Sequence, residues 1–360
     1  SNGLGYQNLV SMVFGLMSYR DAWMRVGKAS ASQIDAKPPP ALHLVLVEEP
    51  EAYLHAQVQQ VFIKHAYDVL RNDPALGGSK TFCTQLVVST HSSHVAHACD
   101  FAALRYFRRL PPTKKCKTPT ACVVNLSSVF GKPDRTAKFV TRYLKATHCD
   151  LFFADAAVFI EGSAERILVP HFVREDDVLE YLRSCYITWL EVGGSHAHRF
   201  KGLVDALGLT TLIITDLDAK DPTTQKAETP VLGKGLEARN ETLRTWAPKE
   251  TSVDALIKLE EQDKALAHPN GYAVRAAYQI STKVKIGAVE TEILANTFED
   301  ALLYQNFDFF KDRKATGLAG KFQTIIEQAK SDVELATLVA AEIGKSDKAE
   351  FAMDLLFSED

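Results

Sequence analysis

Apolar strands alternate with helical segments in the first part of the chain. Residues 42–47 of "ALHLVLVEEPE" form a continuous apolar run that ends in two glutamates, and residues 55–72 then place apolar side chains at helical spacing. "TQLVVSTHSSHV" repeats the order of strand, polar turn and helix. Because this alternation is typical of α/β proteins, it predicts an α/β domain with a mostly parallel sheet over residues 1–150.

A second alternating block begins near residue 156. Its predicted strands, separated mainly by helices, are 156–160, 186–191, 211–215 and 273–282. From about residue 289 the spacing favours helices and carries no strand signal. The predicted fold class is therefore α/β, with a second α/β domain of mainly parallel strands at 151–288 and a helical domain at 289–360.

Composition narrows the classes of protein that fit this pattern. The chain has 360 residues, with 41 basic and 45 acidic side chains and a net charge of −4. This charge argues against a strongly basic nucleic-acid coat but permits a local basic groove. The six cysteines are scattered and form no CxxC pair, which predicts a reducing, cytoplasmic location without structural zinc. No apolar run approaches the ~20 residues that span a bilayer, so we expect no membrane partner.

Acidic residues at the end of the first apolar strand suggest nucleotide chemistry. Glu48 and Glu49 stand at its carboxyl end, where ligands bind in open α/β sheets. One such acid can hold Mg²⁺, and another can orient the water that attacks a γ-phosphate. Thr90 and His91, at the end of the next predicted strand, are placed to sense that phosphate. An ordinary buried strand followed by a capped helix explains "EEPE" equally well.

The phosphate-binding loop of such an ATPase does not occur in this sequence. There is no G-x-x-x-x-G-K-[ST], and "GLAGKFQT" places Phe322 where serine or threonine would bind Mg²⁺. We therefore expect the chain to begin partway through an ATPase domain and, as it stands, not to bind ATP properly.

Four further carboxylates follow two strands of the second block. Glu161 and Glu165 lie four residues apart after strand 156–160, and Asp216 and Asp218 end "TLIITDLD". Grouped carboxylates repel one another unless cations neutralise them, and hard oxygen ligands suit Mg²⁺ or Mn²⁺. Two such ions can activate water and stabilise the leaving oxygen of a phosphodiester. Taken separately, the glutamates also fit a helix N-terminus, and the Asp-x-Asp pair fits a solvated strand end or a calcium-like loop.

Four segments occur in an order that is known from one family. "EEPEAYLH", "STHSSHV", "EGSAE" and "TDLDA" together resemble the overcoming lysogenization defect (OLD) family, in which an ABC-type ATPase is followed by a Toprim domain. The resemblance implies a DNA endonuclease that uses two Mg²⁺ or Mn²⁺ ions at the Toprim acids, coupled to an ATPase module that binds ATP when complete. It also implies a homodimer formed through the ATPase region and a role in phage defence or DNA repair.

The resemblance assigns roles to individual residues as well. In the ATPase part, Glu48 takes the place of the Mg²⁺-binding aspartate, Glu49 is the catalytic glutamate and His91 is the switch histidine. In the Toprim part, the four acids of "EGSAE" and "TDLD" are the catalytic metal ligands.

The helical region is expected to complete the site. The resemblance implies that Glu299 is a further metal ligand and that Lys348 acts on the scissile phosphate, with Lys345 as the alternative lysine. Acidic residues are also favoured at helix starts, which would explain Glu299, and an exposed lysine more often only covers a solvated face.

Basic residues near the glycine turn are candidates for DNA contact. Arg199 and Lys201 follow "EVGGSHAH", and a basic cluster occupies residues 108–117. Binding through them would be electrostatic and largely independent of DNA sequence. The cluster fits a solvated loop equally well.

Two other functions remain open at the level of sequence. One is a DNA-binding ABC-type ATPase or clamp whose Toprim domain is structural and non-catalytic. The other is a primase-like Toprim enzyme that uses nucleotide substrates. The joint pattern of Glu-x-x-x-Glu and Asp-x-Asp favours the nuclease.

Overall fold

A computed structural model describes residues 3–26, 39–74, 76, 81–129, 135–193, 196–312 and 317–357, with the backbone only at 147 and 148. The chain divides into two compact units, Ser1–Tyr106 with Asn125–Phe153 and Phe107–Val124 with Ala154–Asp360. The sequence predicts three domains, 1–150, 151–288 and 289–360, and this three-domain division stays a prediction.

The described residues contain both helices and strands throughout. The α-helices are α1 (Leu4–Met24), α2 (Ala56–Arg71), α3 (Ser93–Ala98), α4 (Arg135–Tyr143), α5 (Ser163–Glu175), α6 (Glu180–Arg183), α7 (Lys201–Leu207), α8 (Glu241–Thr245), α9 (Val253–Lys258), α10 (Phe298–Gln305), α11 (Phe307–Asp312), α12 (Gly317–Gln328), α13 (Asp332–Ile343) and α14 (Lys348–Leu356). Within the part of the chain that the structure describes, none of these helices combines the length and the apolar character needed to cross a membrane.

The strands follow the same chain order. They are β1 (Leu42–Glu48), β2 (Cys83–Ser89), β3 (Arg105–Leu110), β4 (Thr120–Asn125), β5 (Ala156–Ile160), β6 (Ile187–Glu191), β7 (Thr210–Ile214), β8 (Ala219–Lys220), β9 (Glu237–Ala238), β10 (Ala265–Ala267), β11 (Ala273–Ala277), β12 (Ser281–Ile286) and β13 (Val289–Leu294).

The first unit has the alternation that the sequence predicts. β1 and β2 pair in parallel, with Glu48 opposite Ser89. Leu16 of α1, Val45 of β1 and Phe62 of α2 pack in one apolar core. The carboxyl ends of β1 and β2 therefore meet at one edge, which is where the candidate ATPase residues lie.

A mainly parallel sheet, as predicted, lies at the centre of the second unit. Among the described residues its strand order is β10–β11–β7–β5–β6, and β10 alone runs antiparallel to its neighbour. β5, in the interior, is buried from residue 157 to 160. Its unbroken apolar sequence suits this place because both faces of a parallel sheet are covered. The ends of β5 and β7 therefore deliver the two acidic motifs to the same edge of the sheet.

The structure corrects two predictions about residues 273–294. The predicted strand 273–282 is two strands, β11 and β12, separated by residues 278–280. β12 pairs with β13 in an antiparallel hairpin, so the region predicted to be helical from 289 begins with a strand, and its first helix starts at Phe298. Residues 289–294, "VETEIL", place a β-branched residue at every second position, which favours a strand. This signal is only six residues long and adjoins a region with helical spacing, so the helical pattern dominates the prediction.

Three helices of the second unit pack against one another. Ala164 and Leu168 of α5, Phe298 and Leu302 of α10 and Ala352 of α14 share one apolar cluster. A second cluster joins the β12–β13 hairpin to α10, α11, α12, α13 and α14. Because α5, α10 and α14 each carry a candidate site residue in the first turn, this packing brings those residues together.

The basic cluster at 108–117 begins with a buried side chain rather than a solvated one. Arg108 is 7% exposed, and its Nη1 donates to the carbonyls of Asp205 and Ala206 at 3.2 and 3.4 Å. Its guanidinium also lies 5.2 Å from the centre of the Tyr272 ring. The two carbonyls belong to the last turn of α7, where unpaired carbonyl groups favour a cation. Arg108 is thus a structural residue and is not available for DNA contact.

Replacing Gly208 by alanine is expected to destabilise the protein more than the same change at Gly287. Both glycines have positive φ, 66° and 60°, where a Cβ costs about 1–2 kcal/mol. At Gly208 the new Cβ would also overlap the Arg108 guanidinium, whereas at Gly287 nothing lies within 4 Å. Urea denaturation should show a loss of about 1–2 kcal/mol for Gly287→Ala and of about 2–4 kcal/mol for Gly208→Ala. Equal losses would contradict the close packing of Arg108 against the end of α7.

Candidate active site

Glu161, directly after β5, is held by groups that follow β7 and precede α8. Its Oε1 accepts hydrogen bonds from the Thr215 hydroxyl, from the backbone N–H of Asp216 at 3.4 Å and from the Asn240 amide at 3.3 Å. Asn240 is fully buried and also donates to Thr215 Oγ1 at 2.6 Å and to the Asp216 carbonyl at 2.8 Å. The structure therefore brings Glu161 and the Asp-x-Asp segment together.

The Asp-x-Asp segment is supported from two sides. Gln279, which follows β11, donates to Asp216 Oδ1 and accepts from the N–H of Leu217 at 2.9 Å. On the other side, the N–H of Arg239 donates to the Asp218 carbonyl at 2.5 Å, and the Arg239 guanidinium lies 3.7 Å from the Asp218 carboxylate. Asp218 has a φ of 48°, in the left-handed region that aspartate adopts more readily than most residues other than glycine.

Three helix starts supply the other charged groups. Glu165 is buried in the first turn of α5, and Glu299 is fully buried in the first turn of α10. Nζ of Lys348, the first residue of α14, forms an ion pair with Oε2 of Glu299 at 2.9 Å. Oε1 of Glu299 is buried without a hydrogen-bond partner among the described residues. Lys345 lies near Glu342 instead, so the structure places Lys348 rather than Lys345 beside the acids.

The carboxylates influence one another's protonation. Burial raises the pKa of Glu161, and the charge of Asp218 raises it further. Burial also raises the pKa of Glu165, with added repulsion from Glu299 and Glu161. The pKa of Asp216 lies well above its usual range because of burial and the nearby charges of Glu161 and Glu165. Each acid is therefore costly to keep charged unless a cation lies close to it.

Lys348 supplies one positive charge to this group. Burial by itself lowers the pKa of Lys348, but the carboxylates of Glu299, Asp216 and Glu165 outweigh that effect and raise it above the usual value. The ammonium is therefore protonated near neutral pH and leaves several carboxylates without an opposite charge.

The donor chemistry of the cluster fits a hard divalent cation. Carboxylate oxygens are the ligands that Mg²⁺ and Mn²⁺ prefer, and a cation would also supply a partner for the buried Oε1 of Glu299. In the described residues, no three Asp, Glu, His or Cys side chains already converge as ligands of one ion.

A cleft of about 170 Å³ opens beside the acids. Glu165 and Asp216 line it together with Gln279, Phe298 and Gln305. A substrate in solution could reach Glu165 and Asp216 through this cleft.

Three neutral residues that hold the acids, Thr215, Asn240 and Gln279, were not predicted from the sequence. Gln279 follows β11, which lies parallel and adjacent to β7. Because the carboxyl ends of neighbouring parallel strands meet at one edge, this position did carry a usable signal. Asn240 precedes a short helix, where asparagine indicates no more than an N-cap.

Of the candidate DNA contacts, Lys201 is the first residue of α7, and Arg199 lies in the short 3-10 helix Ala197–Phe200 that precedes it. Lys201 pairs with Asp205 at 2.5 Å, and Asp205 also accepts from the Tyr272 hydroxyl at 3.1 Å. Contact of Lys201 with a phosphate would have to compete with this ion pair. The DNA-binding role of Arg199 and Lys201 therefore remains a prediction.

In the first unit, Glu49 and His91 meet at the edge formed by β1 and β2. Their side chains are largely exposed, and Nε2 of His91 lies 3.5 Å from Oε1 of Glu49. Glu51, which was not predicted as a site residue, accepts from the Thr90 hydroxyl at 2.8 Å and from the N–H of His91 at 2.7 Å. Glu48 is exposed at the end of β1. The candidate ATPase residues thus lie at the carboxyl ends of two parallel strands, where nucleotides bind in such sheets.

Comparison with known proteins identifies families and relatives that match parts of this chain. Residues 1–96 match the family model of an AAA ATPase domain, and residues 152–218 match that of the overcoming lysogenization defect protein-like TOPRIM domain. The chain is 27% identical to Endonuclease GajA of Bacillus cereus (strain HuB5-5) over 321 residues, which are 85% of this chain and 41% of that protein. It is 25% identical to Endonuclease GajA of Bacillus cereus (strain VD045) over 190 residues, which are 53% of this chain and 29% of that protein.

These matches confirm the predicted resemblance and the predicted α/β fold class. The chain spans 41% or less of the length of the curated relatives that it matches.

Proposed function

Because the chain joins an AAA ATPase segment to an OLD-like Toprim domain, we propose that it is part of a metal-dependent DNA endonuclease. The observation that supports this proposal most strongly is the cluster of Glu161, Glu165 and Asp216 with Lys348 at one edge of the Toprim sheet. The similarity to two endonucleases supports the same reaction class.

The proposed metal ligands are Glu161, Glu165, Asp216, Asp218 and Glu299. The chemistry that one or two Mg²⁺ or Mn²⁺ ions supply when bound is activation of a water molecule and stabilisation of charge on the phosphate. The chain itself contributes the carboxylates, the neutral donors that orient them, and burial that keeps competing water away.

Lys348 has a separate role in the proposal. Its side chain is 41% exposed while its partner Glu299 is fully buried, so the ammonium lies between the acids and solvent. From there it would contact the scissile phosphate and stabilise the negative charge that develops during cleavage. Arg199 and Lys201 would hold the neighbouring DNA backbone.

The first unit has a supporting role in this proposal. Glu48, Glu49 and His91 would take part in ATP hydrolysis within a complete ATPase domain, and the same region would form a homodimer. Cytoplasmic location likewise remains a prediction from the cysteine pattern.

Cleavage of supercoiled plasmid tests the proposed function. We expect nicking or linearisation with Mg²⁺ or Mn²⁺ and none with EDTA, because the carboxylates cannot bind and polarise a phosphodiester without a cation. Agarose gels that show no cleavage with any divalent metal would contradict the proposal. They would instead favour a DNA-binding ATPase or clamp with a structural Toprim domain.

Mn²⁺ is expected to stabilise the protein against unfolding even when no DNA is present. Binding to the folded state at a free concentration of 100 times Kd adds about 2.7 kcal/mol, since the unfolded chain does not gather these carboxylates. Thermal unfolding should therefore shift to higher temperature with Mn²⁺ and return with EDTA. The same shift in an Asp216→Asn variant would place the stabilising ion elsewhere.

A further inference from the structure

We propose that Asn240 is a positioning residue that fixes which oxygen of Glu161 is held by the protein and which is left for a metal ion. This inference rests on the proposed function, since it concerns the same site. Asn240 itself would touch neither the metal nor the DNA and would act through Glu161.

The hydrogen bonds of Glu161 are all made by one oxygen. Oε1 accepts from Thr215, from the N–H of Asp216 and from Asn240, whereas Oε2 accepts no hydrogen bond among the described residues. Such one-sided support fixes the rotation of the carboxylate and leaves Oε2 as its available lone-pair donor. Partners of this kind orient metal ligands in many proteins and tune their affinity.

Asn240 connects Glu161 with the segment that follows β7. Its amide nitrogen lies 2.6 Å from Thr215 Oγ1, 2.8 Å from the Asp216 carbonyl and 3.3 Å from Glu161 Oε1. The amide therefore contacts both the residue after β5 and the segment after β7. The two acidic motifs come from different strands, and the amide of Asn240 bridges them.

The other end of the Asn240 side chain is anchored independently. Oδ1 accepts from the N–H of Thr242 at 3.0 Å and caps α8, and Leu243 and Trp246 beyond it are buried in the core. One half of the carboxamide thus has a structural role as N-cap, and the other half donates to the site. These two roles can be separated by substitution.

Asn240→Asp keeps the cap but removes the donor. An aspartate oxygen can still accept from Thr242, and aspartate is as good an N-cap as asparagine. It cannot donate to Thr215 or Glu161 and would instead repel the Glu161 carboxylate. Asn240→Ser also keeps a capping hydroxyl, adds no charge, and is too short to reach Glu161.

The experiment measures Mn²⁺ affinity by calorimetry without DNA, alongside thermal unfolding in EDTA. We expect both Asn240 variants to bind Mn²⁺ about 10–100-fold more weakly than the wild type. Asn125→Asp serves as the control, because Asn125 caps a short turn in the first unit through its Oδ1, far along the chain from the acids. It should bind Mn²⁺ with unchanged affinity.

Each other outcome overturns the inference in a different way. Folded variants with Kd within twofold of the wild type would show that Asn240 is only a helix cap. Weak binding by Asn240→Asp together with normal binding by Asn240→Ser would assign the effect to added charge rather than to lost donation. Failure of the wild type itself to bind Mn²⁺ would overturn the proposed metal site, and the inference with it.

Discussion

Asp216→Asn is expected to lower the rate of metal-dependent DNA cleavage by at least about 10³-fold while leaving the metal-free protein folded. The substitution removes a proposed metal ligand charge but keeps an oxygen that can accept from Gln279. Loss of a group that stabilises the transition state directly commonly costs this much or more. Single-turnover cleavage of plasmid DNA with Mn²⁺ measures the rate.

The metal-free stability of the same variant is a second, independent readout. Burial and the charges of Glu161 and Glu165 raise the pKa of Asp216, so the charged form of Asp216 is destabilised in the absence of a cation. In EDTA, the Asp216→Asn variant should therefore unfold at the same temperature as the wild type or at a higher one. Asp221→Asn is the control for cleavage and should leave the rate unchanged. It should lower the stability slightly, because backbone N–H groups of Thr223 and Thr224 donate to Asp221 and lower the pKa of its carboxyl group. Cleavage that survives Asp216→Asn would place the chemistry at another site.

Lys348→Met is expected to lower the cleavage rate by about 10²–10³-fold and also to destabilise the fold. The variant removes the cation that would face the phosphate, which is the reason for the loss of rate. It also leaves the fully buried carboxylate of Glu299 without its partner at 2.9 Å. Breaking an enclosed ion pair costs about 3–5 kcal/mol, but the exposure of Lys348 reduces the expected loss here to about 1–3 kcal/mol.

Lys345→Met is the natural control for this prediction. Lys345 lies three residues earlier and near Glu342 rather than near the acids, so its loss should leave the cleavage rate unchanged within about twofold. A double variant, Lys348→Met with Glu299→Gln, should recover stability because the unpaired charge is removed. It should not recover cleavage, because it lacks both the cation and the proposed metal ligand Glu299. Recovery of cleavage in that double variant would reduce Lys348 to a purely structural role.

The strands and motifs of the two α/β regions could be predicted because each carries its own local pattern. β5 is an unbroken apolar run, and both acidic motifs follow an apolar strand directly, so the parallel pairing of β5 with β7 is enough to bring them together. The positions of Glu299 and Lys348 could not be obtained in this way. They depend on the packing of α10 and α14 against α5, and only the family resemblance indicated them.

The residues that orient the acids could not be predicted from the sequence for a related reason. Asn240 precedes α8 by one residue, and its local role as an N-cap fully explains its presence in the sequence. Its contact with Glu161 spans 79 residues of chain, so no local pattern indicates it. The hairpin of β12 and β13 was missed because its strands are short and adjoin a long helical region.

Anomalous diffraction from crystals soaked in Mn²⁺ tests most directly whether a divalent ion binds at the acids that follow β5 and β7, because it locates the ion without reference to activity. We expect a strong anomalous peak within coordinating distance, about 2.0–2.3 Å, of carboxylate oxygens from Glu161 and Asp216 in the wild type. The peak should be absent from Asp216→Asn crystals treated in the same way. A wild-type map with no peak at these acids, or with Mn²⁺ bound only elsewhere, would contradict a metal-dependent active site at this edge of the sheet.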